Sequence, residues 1–358
     1  MKIGYDAKRY FGNNSGLGNY SRDLVRMMAE QRPGNEYFLF SPTANSNYQV
    51  PPEVGIVTST KPAFYWRSFG IAKDLKKLGI ELFHGLSNEI PMGLKEEGIK
   101  SVVTIHDVIF KMYPQYYKPV DRLIYQYKTA YACKNADIVI ATSEQTKEDL
   151  VKYFKADAGK IEVVHQVCSP SFSIANNNLE KKSPPVILYL SSFQNRKNHL
   201  RLIEAFAKVS AKTGMNLLLA GRPGETFISC ESLVRKFGII DRIKFMTNIN
   251  SAQMPDVYAT ASAFIYPSEF EGFGIPLLEA IQCHLPVACS NISVFKEIVG
   301  DAALYFNPLD INSISEAILR LENKEENVIA YNKIIHNFSD TVVAERLNGV
   351  YERLKAKY

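Results

Sequence analysis

Short runs of apolar residues alternate with longer amphipathic stretches along almost the whole chain, and that alternation admits few folds. An apolar run buried on both faces is a strand of a parallel sheet, and the amphipathic stretch after it is the helix that returns the chain to start the next strand. In the first half the runs fall at 2–6, 37–41, 55–58, 81–85, 101–106, 137–142 and 161–164. Helical stretches fall at 17–29, 65–78, 120–132 and 143–154. The texture breaks at Ser173-Ile174-Ala175-Asn176-Asn177-Asn178, a polar stretch closed by Ser183-Pro184-Pro185, which is linker chemistry. Alternation then resumes with runs at 186–190, 216–220, 243–246, 263–266, 286–289 and 303–306.

The chain has 358 residues, too long for one ordinary core and suited to two. The pattern predicts an N-terminal Rossmann-like α/β domain over 1–172, a linker over 173–185, a second α/β domain over 186–338 and a terminal helix over 339–358. Two such domains on a linker are expected to face one another across a ligand-binding cleft. No apolar run is long enough to span a bilayer, and the start at Met1-Lys2-Ile3 reads as a strand rather than a signal peptide, so a cytoplasmic protein is expected. Five scattered cysteines without a CxxC pair read as free thiols. The net charge of +5 is spread along the chain, which suits an anionic ligand but lacks the dense basic stripe of a nucleic-acid binder.

The chemistry is densest at Tyr266-Pro267-Ser268-Glu269-Phe270-Glu271-Gly272-Phe273-Gly274-Ile275-Pro276-Leu277-Leu278-Glu279-Ala280. A strand ends near Pro267, a tight loop follows, and Pro276 suits the first turn of a helix. Loop and first turn can aim Glu271 and Glu279 into one pocket. Gly272 and Gly274 permit close backbone approach, and the helix start favours an anion. Carboxylates beside a phosphate-friendly dipole suit the hydroxyls of a sugar nucleotide. A helix-start glutamate and a solvated loop glutamate are the bland alternative. Arg196 and Lys197 follow the first strand of the second half and can neutralise a diphosphate, although an Arg-Lys pair alone is commonly just a solvated face. His106 ends an apolar strand and can act at the ligand or serve as a structural hydrogen-bonder. Gly16 and Gly18 open the first helix, where close approach to a ligand and an ordinary turn are both open readings.

The segment E-G-F-G-I-P-L-L-E resembles the Glu-x7-Glu signature of the retaining GT-B glycosyltransferases of family four, or group 1, in their mannosyltransferase-like branch. The resemblance extends to Gly16-Leu17-Gly18-Asn19-Tyr20, Thr104-Ile105-His106-Asp107, Thr142-Ser143-Glu144, Arg196-Lys197-Asn198 and the stretch from Ser290-Asn291 to Glu297. It implies transfer of a hexosyl group, with retained configuration, from a nucleotide-diphosphate sugar to a glycan or lipid-linked acceptor in polysaccharide or cell-envelope assembly. It implies an N-terminal acceptor domain, a C-terminal donor domain, and a last helix that returns to the N-terminal domain. Lys197 matches the donor-phosphate lysine with Arg196 as its partner. Glu279 is assigned to the ribose, Glu271 to the donor sugar, and His106 to the sugar–acceptor junction. Gly16, Gly18, Gly272, Phe273 and Gly274 join the donor contacts. No cofactor and no metal are expected, since side chains supply the cations. The sequence departs from the family at Ser191-Ser192, at His165-Gln166-Val167-Cys168-Ser169 and at His284.

A nicotinamide fingerprint fits poorly, because Gly16-x-Gly18-x-x-Ser21 lies about ten residues beyond the first strand and no carboxylate follows the second. A nucleotide-sugar epimerase and a non-catalytic sugar-nucleotide-binding relative are the remaining alternatives. Phe64-Tyr65-Trp66-Arg67 running into Lys73-Asp74-Leu75-Lys76-Lys77 suggests weak peripheral contact with the inner face of the membrane; one face packed on the sheet is the simpler reading.

Overall fold

A computed structural model describes residues 1–13, 16–45, 47–174 and 183–356. The two expected parallel sheets are present, one in each of two compact units. The first unit comprises Met1–Val167 and Phe338–Tyr358, the second Cys168–Asn337.

The first sheet contains β1 (Lys2–Asp6), β2 (Glu36–Phe40), β3 (Val54–Val57), β4 (Leu82–Gly85), β5 (Lys100–Ile105), β6 (Ile138–Ala141) and β7 (Ile161–Val163), in the order β3-β2-β1-β4-β5-β6-β7. Every pairing is parallel, and Tyr5 of β1 stands opposite His84 of β4. Strand order turns around between β1 and β4, and such switch points leave a crevice at the carboxyl ends of the strands. The helix Asp340–Lys355 packs on this unit. Its Val343, Ala344, Leu347, Val350, Tyr351 and Leu354 share a core with Ile3, Tyr5, Leu24 and Val25. Arg26 grips Asp340 through two nitrogens at 2.6 and 3.1 Å.

The second sheet runs β10-β9-β8-β11-β12-β13, where β8 is Val186–Leu190, β9 Asn216–Ala220, β10 Ile243–Met246, β11 Ala263–Tyr266, β12 Val287–Ser290 and β13 Leu304–Phe306. All its pairings are parallel, and its switch point lies between β8 and β11. Both strands are apolar and buried along their whole length, which requires helices on both faces.

Two details differ from the sequence expectation. The division falls at Val167/Cys168, before the expected limit at 172, because Phe172 packs edge-on against Tyr258 of the second unit (5.5 Å) and its carbonyl accepts from Cys283 Sγ (3.4 Å). Within the expected linker over 173–185, residues 175–182 lie outside the described residues. The helix expected at 65–78 is interrupted. A π-helical turn, Trp66–Gly70, separates the short segment Ala63–Tyr65 from the helix Ile71–Lys77. Trp66, Ile71, Ala72 and Leu75 are buried, so one face packs on the sheet. Among the described residues no helix is long and apolar enough to cross a membrane.

Candidate active site

In the second unit the chain leaves β8 through Ser191–Gln194, makes a 3-10 turn at Asn195–Lys197, and enters the helix His199–Val209 by way of Asn198, whose φ of 63° lies in the left-handed region. Asparagine tolerates that conformation, and its amide is employed here. Asn198 Nδ2 donates to the carbonyls of Pro267 (3.0 Å) and Pro308 (2.7 Å). Glu269 N donates to Arg196 O at 2.9 Å. The segments after β8 and β11 are therefore laced together by backbone groups, and this fixes the side chains between them.

At that seam Lys197 and Glu271 are both buried, each 8% exposed. Lys197 Nζ is ion-paired with Glu271 Oε1, and Arg196 Nη1 reaches Oε2 at 3.2 Å. Tyr266 Oη donates to Oε1 at 2.9 Å, and Lys197 Nζ lies 5.6 Å above the centre of that ring. Burial pushes the Glu271 carboxyl up, but the charges of Lys197 and Arg196 outweigh it and hold the group at about 2. Removing two charges from water is costly, so an ion pair this buried depends on the several bonds it makes.

The helix Ile275–Gln282 follows with Pro276 in its first turn and Gly274 before it at φ 133°. A Cβ on Gly274 would lie 2.9 Å from Phe295 Cε1, and Phe295 stacks on Tyr266 at 5.1 Å. Gly274 thus serves the packing of its own loop, and Gly272 and Phe273 are buried beside it. Glu279 is buried as well, but it has a different partner: Tyr258 Oη donates to its Oε2 at 2.7 Å. Burial raises the Tyr258 and Tyr266 hydroxyls well above their usual range, so both remain donors to their carboxylates. Phe264 stands between the two rings, 5.5 Å from Tyr258 and 5.8 Å from Tyr266. Arg196, Lys197 and Glu271 form one cluster, and Glu279 sits at the other end of this aromatic row.

The first unit holds the other sequence-predicted residues. His106 follows β5 and is buried. Its Nε2 lies 2.9 Å from Leu86 O, and a carbonyl only accepts, so Nε2 carries the proton. Burial lowers the imidazole to about 4, with Arg9 contributing, so the ring is neutral at physiological pH and Nδ1 keeps its lone pair. The His106 carbonyl accepts from Thr142 Oγ1 (3.0 Å) and Thr146 Oγ1 (3.2 Å). Ser143 caps the next helix by accepting from Thr146 N at 3.1 Å. The Thr142-Ser143-Glu144 stretch is thereby a brace for His106. Gly16 and Gly18 begin the helix Gly16–Gln31. A Cβ on Gly18 would fall 1.8 Å from Asn13 O, whereas one on Gly16 meets nothing. The room at Gly18 is taken by the chain itself.

Sequence reasoning missed the two tyrosines as partners of the glutamates: Tyr266 ends the strand directly before the loop, and Tyr258 lies further back, in the helix Met254–Ala259. It also missed a buried chain, Tyr351–His84–Thr104–Tyr20, with contacts of 2.7, 2.8 and 2.9 Å, that ends on the His106 ring 4.5 Å from Tyr20. No local pattern joins residues so far apart. A cavity of about 310 Å³ lies at the starts of β4 and β5, lined in part by Ile80, Leu82, Ile99 and Leu354, and holds none of the predicted residues. Among the described residues no group of three or more His, Cys, Asp or Glu could hold a metal ion. None of the five cysteines is in a disulfide.

Two parallel-sheet α/β units, the second with Arg196, Lys197 and Glu271 gathered at its switch point, have the architecture of the GT-B class. Solved structures agree. Sucrose-phosphate synthase of Thermosynechococcus elongatus superposes with a TM-score of 0.78 at 20% identity, over 100% of both chains. HepE of Anabaena, solved with UDP and glucose, gives 0.68 at 16% over 99% of this chain and 100% of that one. The profile described as "Glycosyl transferases group 1" matches residues 171–337, and that described as "Glycosyltransferase Family 4" matches residues 14–170. The O-antigen chain mannosyltransferase B of Escherichia coli is 27% identical over 343 residues, 86% of each chain. The O-antigen chain mannosyltransferase RfbU of Salmonella typhimurium is 26% identical over 238 residues, 66% of this chain and 65% of that one. The chain belongs to the group 1, family 4 glycosyltransferases, and it is an enzyme of that kind.

Proposed function

We propose that this enzyme moves a hexosyl group, mannosyl foremost, from a nucleotide-diphosphate sugar to a glycan or lipid-linked acceptor, with retention at the anomeric carbon, in cytoplasmic polysaccharide or O-antigen-like assembly. The observation that carries the reading is the buried grip of Lys197 and Arg196 on Glu271 at the β8/β11 switch point. Two cations face one carboxylate, so the cluster keeps a net positive charge for a diphosphate. When the phosphates draw on the cations, Glu271 is left to accept hydroxyls of the donor sugar, and Glu279, oriented by Tyr258, those of the ribose.

In the step itself the bond from the anomeric carbon to the diphosphate oxygen breaks while the acceptor oxygen bonds to that carbon on the same face. A diphosphate oxygen takes the acceptor's proton, and Lys197 and Arg196 stabilise the charge that develops on the leaving group. His106, neutral and with Nδ1 as acceptor, orients a hydroxyl rather than carrying a proton away. The names of the mannosyltransferase relatives support the choice of sugar.

A melting-temperature screen against GDP, UDP, ADP and their sugars tests the donor. One nucleotide raises the transition, and Lys197→Ala removes the rise. Glu279→Gln and Lys197→Ala variants that both transfer sugar at the unaltered rate overturn the assignment. Weak peripheral membrane contact belongs to the same reading. It is supported by exposed Phe64 (73%) and Tyr65 (55%) and by Val120 and Leu123 on the helix Pro119–Asn135 (67% each). Cosedimentation with anionic vesicles at low salt is the expected result, and none at low salt rejects that part.

A further inference from the structure

One charged cluster has no part in the donor chemistry. It lies in the first unit at the β1/β4 switch point, where β1 ends at Asp6 and is followed by Lys8 and Arg9, and where Leu86–Glu89 follows β4. Glu89 gathers three cations. Arg67 Nη2 is 2.5 Å from its Oε1, Lys128 contacts Oε2, and Lys8 Nζ lies 4.0 Å from Oε1. The same Arg67 nitrogen reaches Asp6 Oδ2 at 2.7 Å. Arg67 comes from the π-helical turn Trp66–Gly70, a widened turn of the kind often found at functional sites.

The cluster is built onto His106. Leu86 O accepts from the His106 ring, and Asn88 Oδ1 accepts from His106 N at 2.9 Å. Asn88 holds φ 60°, a left-handed value fixed by these bonds in the loop that carries Glu89. A Cβ at Gly85 would lie 2.1 Å from Glu89 O, so the loop folds tightly over the strand end. Arg9 stands close enough for its charge to act on both Lys8 and His106, and its Nε is buried without a hydrogen-bond partner among the described residues.

Charge balance separates a structural ion pair from a binding site. Lys8, Arg9, Arg67 and Lys128 bring four positive charges to the two carboxylates Asp6 and Glu89, an excess of two at the strand ends. The Lys8 side chain is 44% exposed and open to a ligand, and the buried Arg9 Nε, without a hydrogen-bond partner among the described residues, favours a partner of opposite charge. The donor's diphosphate already has Arg196 and Lys197 in the other unit. We propose that Lys8, Arg9, Arg67 and Lys128, ordered around Glu89, form an oxyanion site that holds a phosphate ester or carboxylate of the acceptor and selects acidic acceptors over neutral ones. This rests on the transferase reading, which supplies the acceptor.

Amine acylation of the full chain, read by mass spectrometry at each lysine, tests the site without knowledge of the acceptor. The probes are inorganic phosphate and glucuronate, one for each source of oxyanion. Exposed Lys77 is the reference for non-specific salt effects. At least one anion slows modification of Lys8 by roughly ten-fold relative to Lys77, the loss of reactivity that a charge-assisted contact produces. Arg9→Gln removes that protection while the protein's melting transition stays in place. Equal rates at Lys8 with and without both anions overturn the site, as does full protection in the Arg9→Gln chain. Nucleotide protection is read at Lys197 in the same spectra, so a failure of the donor reading is distinguishable from a failure here.

Discussion

Glu89 and Glu271 occupy equivalent places in the two units. Each follows a strand that borders the switch point of its sheet, β4 for one and β11 for the other, and each is held by cations at about 2 against the upward push of burial. They differ in where the cations come from. Those of Glu271 are adjacent in sequence on one 3-10 turn, and a backbone bond from Glu269 N to Arg196 O holds that turn against the loop. Those of Glu89 come from the segment after β1, from the π-helical turn and from the helix Pro119–Asn135. The same electrostatic device is thus made once by a compact motif and once by separate pieces of chain. A compact clasp loses most of its hold with one residue, whereas a distributed one keeps part of it.

The largest expected effect tests that difference. Lys197→Ala leaves Glu271 buried without its closest cation, and it lowers the unfolding free energy by about 3 kcal/mol in urea titrations. Lys128→Ala, whose side chain is 30% exposed and which leaves Arg67 on Glu89, costs only about 1 kcal/mol. Equal losses would break the comparison.

Acid sharpens it. Glu271 has a folded-state value of about 2, below its ordinary 4.5, so the folded state favours the ionised form. Its stabilisation is complete above about 4.5 and is lost as the pH falls toward 2, on the order of 3 kcal/mol in all. Glu89 is shifted in the same direction by Arg67 and Lys128. Acid titration of stability should therefore flatten in Glu271→Gln and flatten further in Glu89→Gln/Glu271→Gln; a single variant that already abolishes the slope would show that only one clasp is loaded.

A smaller effect separates the two glycines of the first unit. Gly18→Ala meets the Asn13 carbonyl and costs about 2 kcal/mol. Gly16→Ala, with open space around it, stays within about 0.5 kcal/mol, both by thermal melts. The smallest concerns His106. Burial lowers the ring to about 4, so its charge does not change between pH 6 and 8 and the transfer rate should show no limb there from this residue. An inflection near 6.5 that disappears in His106→Gln would contradict the neutral ring.

The strands were legible because burial on both faces writes itself into local composition. Val186–Leu190 and Ala263–Tyr266 can hardly be anything else. The neighbourhood of Lys197 and Glu271 was legible because a loop motif and a dipeptide lie after strands that a parallel order makes neighbours. The partners Tyr258 and Tyr266 were not, since their rings read equally well as core. Gly18 is instructive in the opposite sense. Its place in a ligand-loop pattern was plain, yet the space it leaves is filled by Asn13.

The amino-acid order alone therefore determined two parallel sheets, the helix-to-strand alternation and the chemical character of the loop after β11, because each depends on the period and type of neighbouring residues. Tertiary structure alone decided that Asp340–Lys355 completes the core around Ile3 and Tyr5, that Leu86 O selects the tautomer of His106, and that Lys8, Arg67 and Lys128 meet at Glu89. Those outcomes join segments whose separation along the chain carries no periodic signal, and they are settled by which side chains pack together and which charges are left to find each other when water is removed.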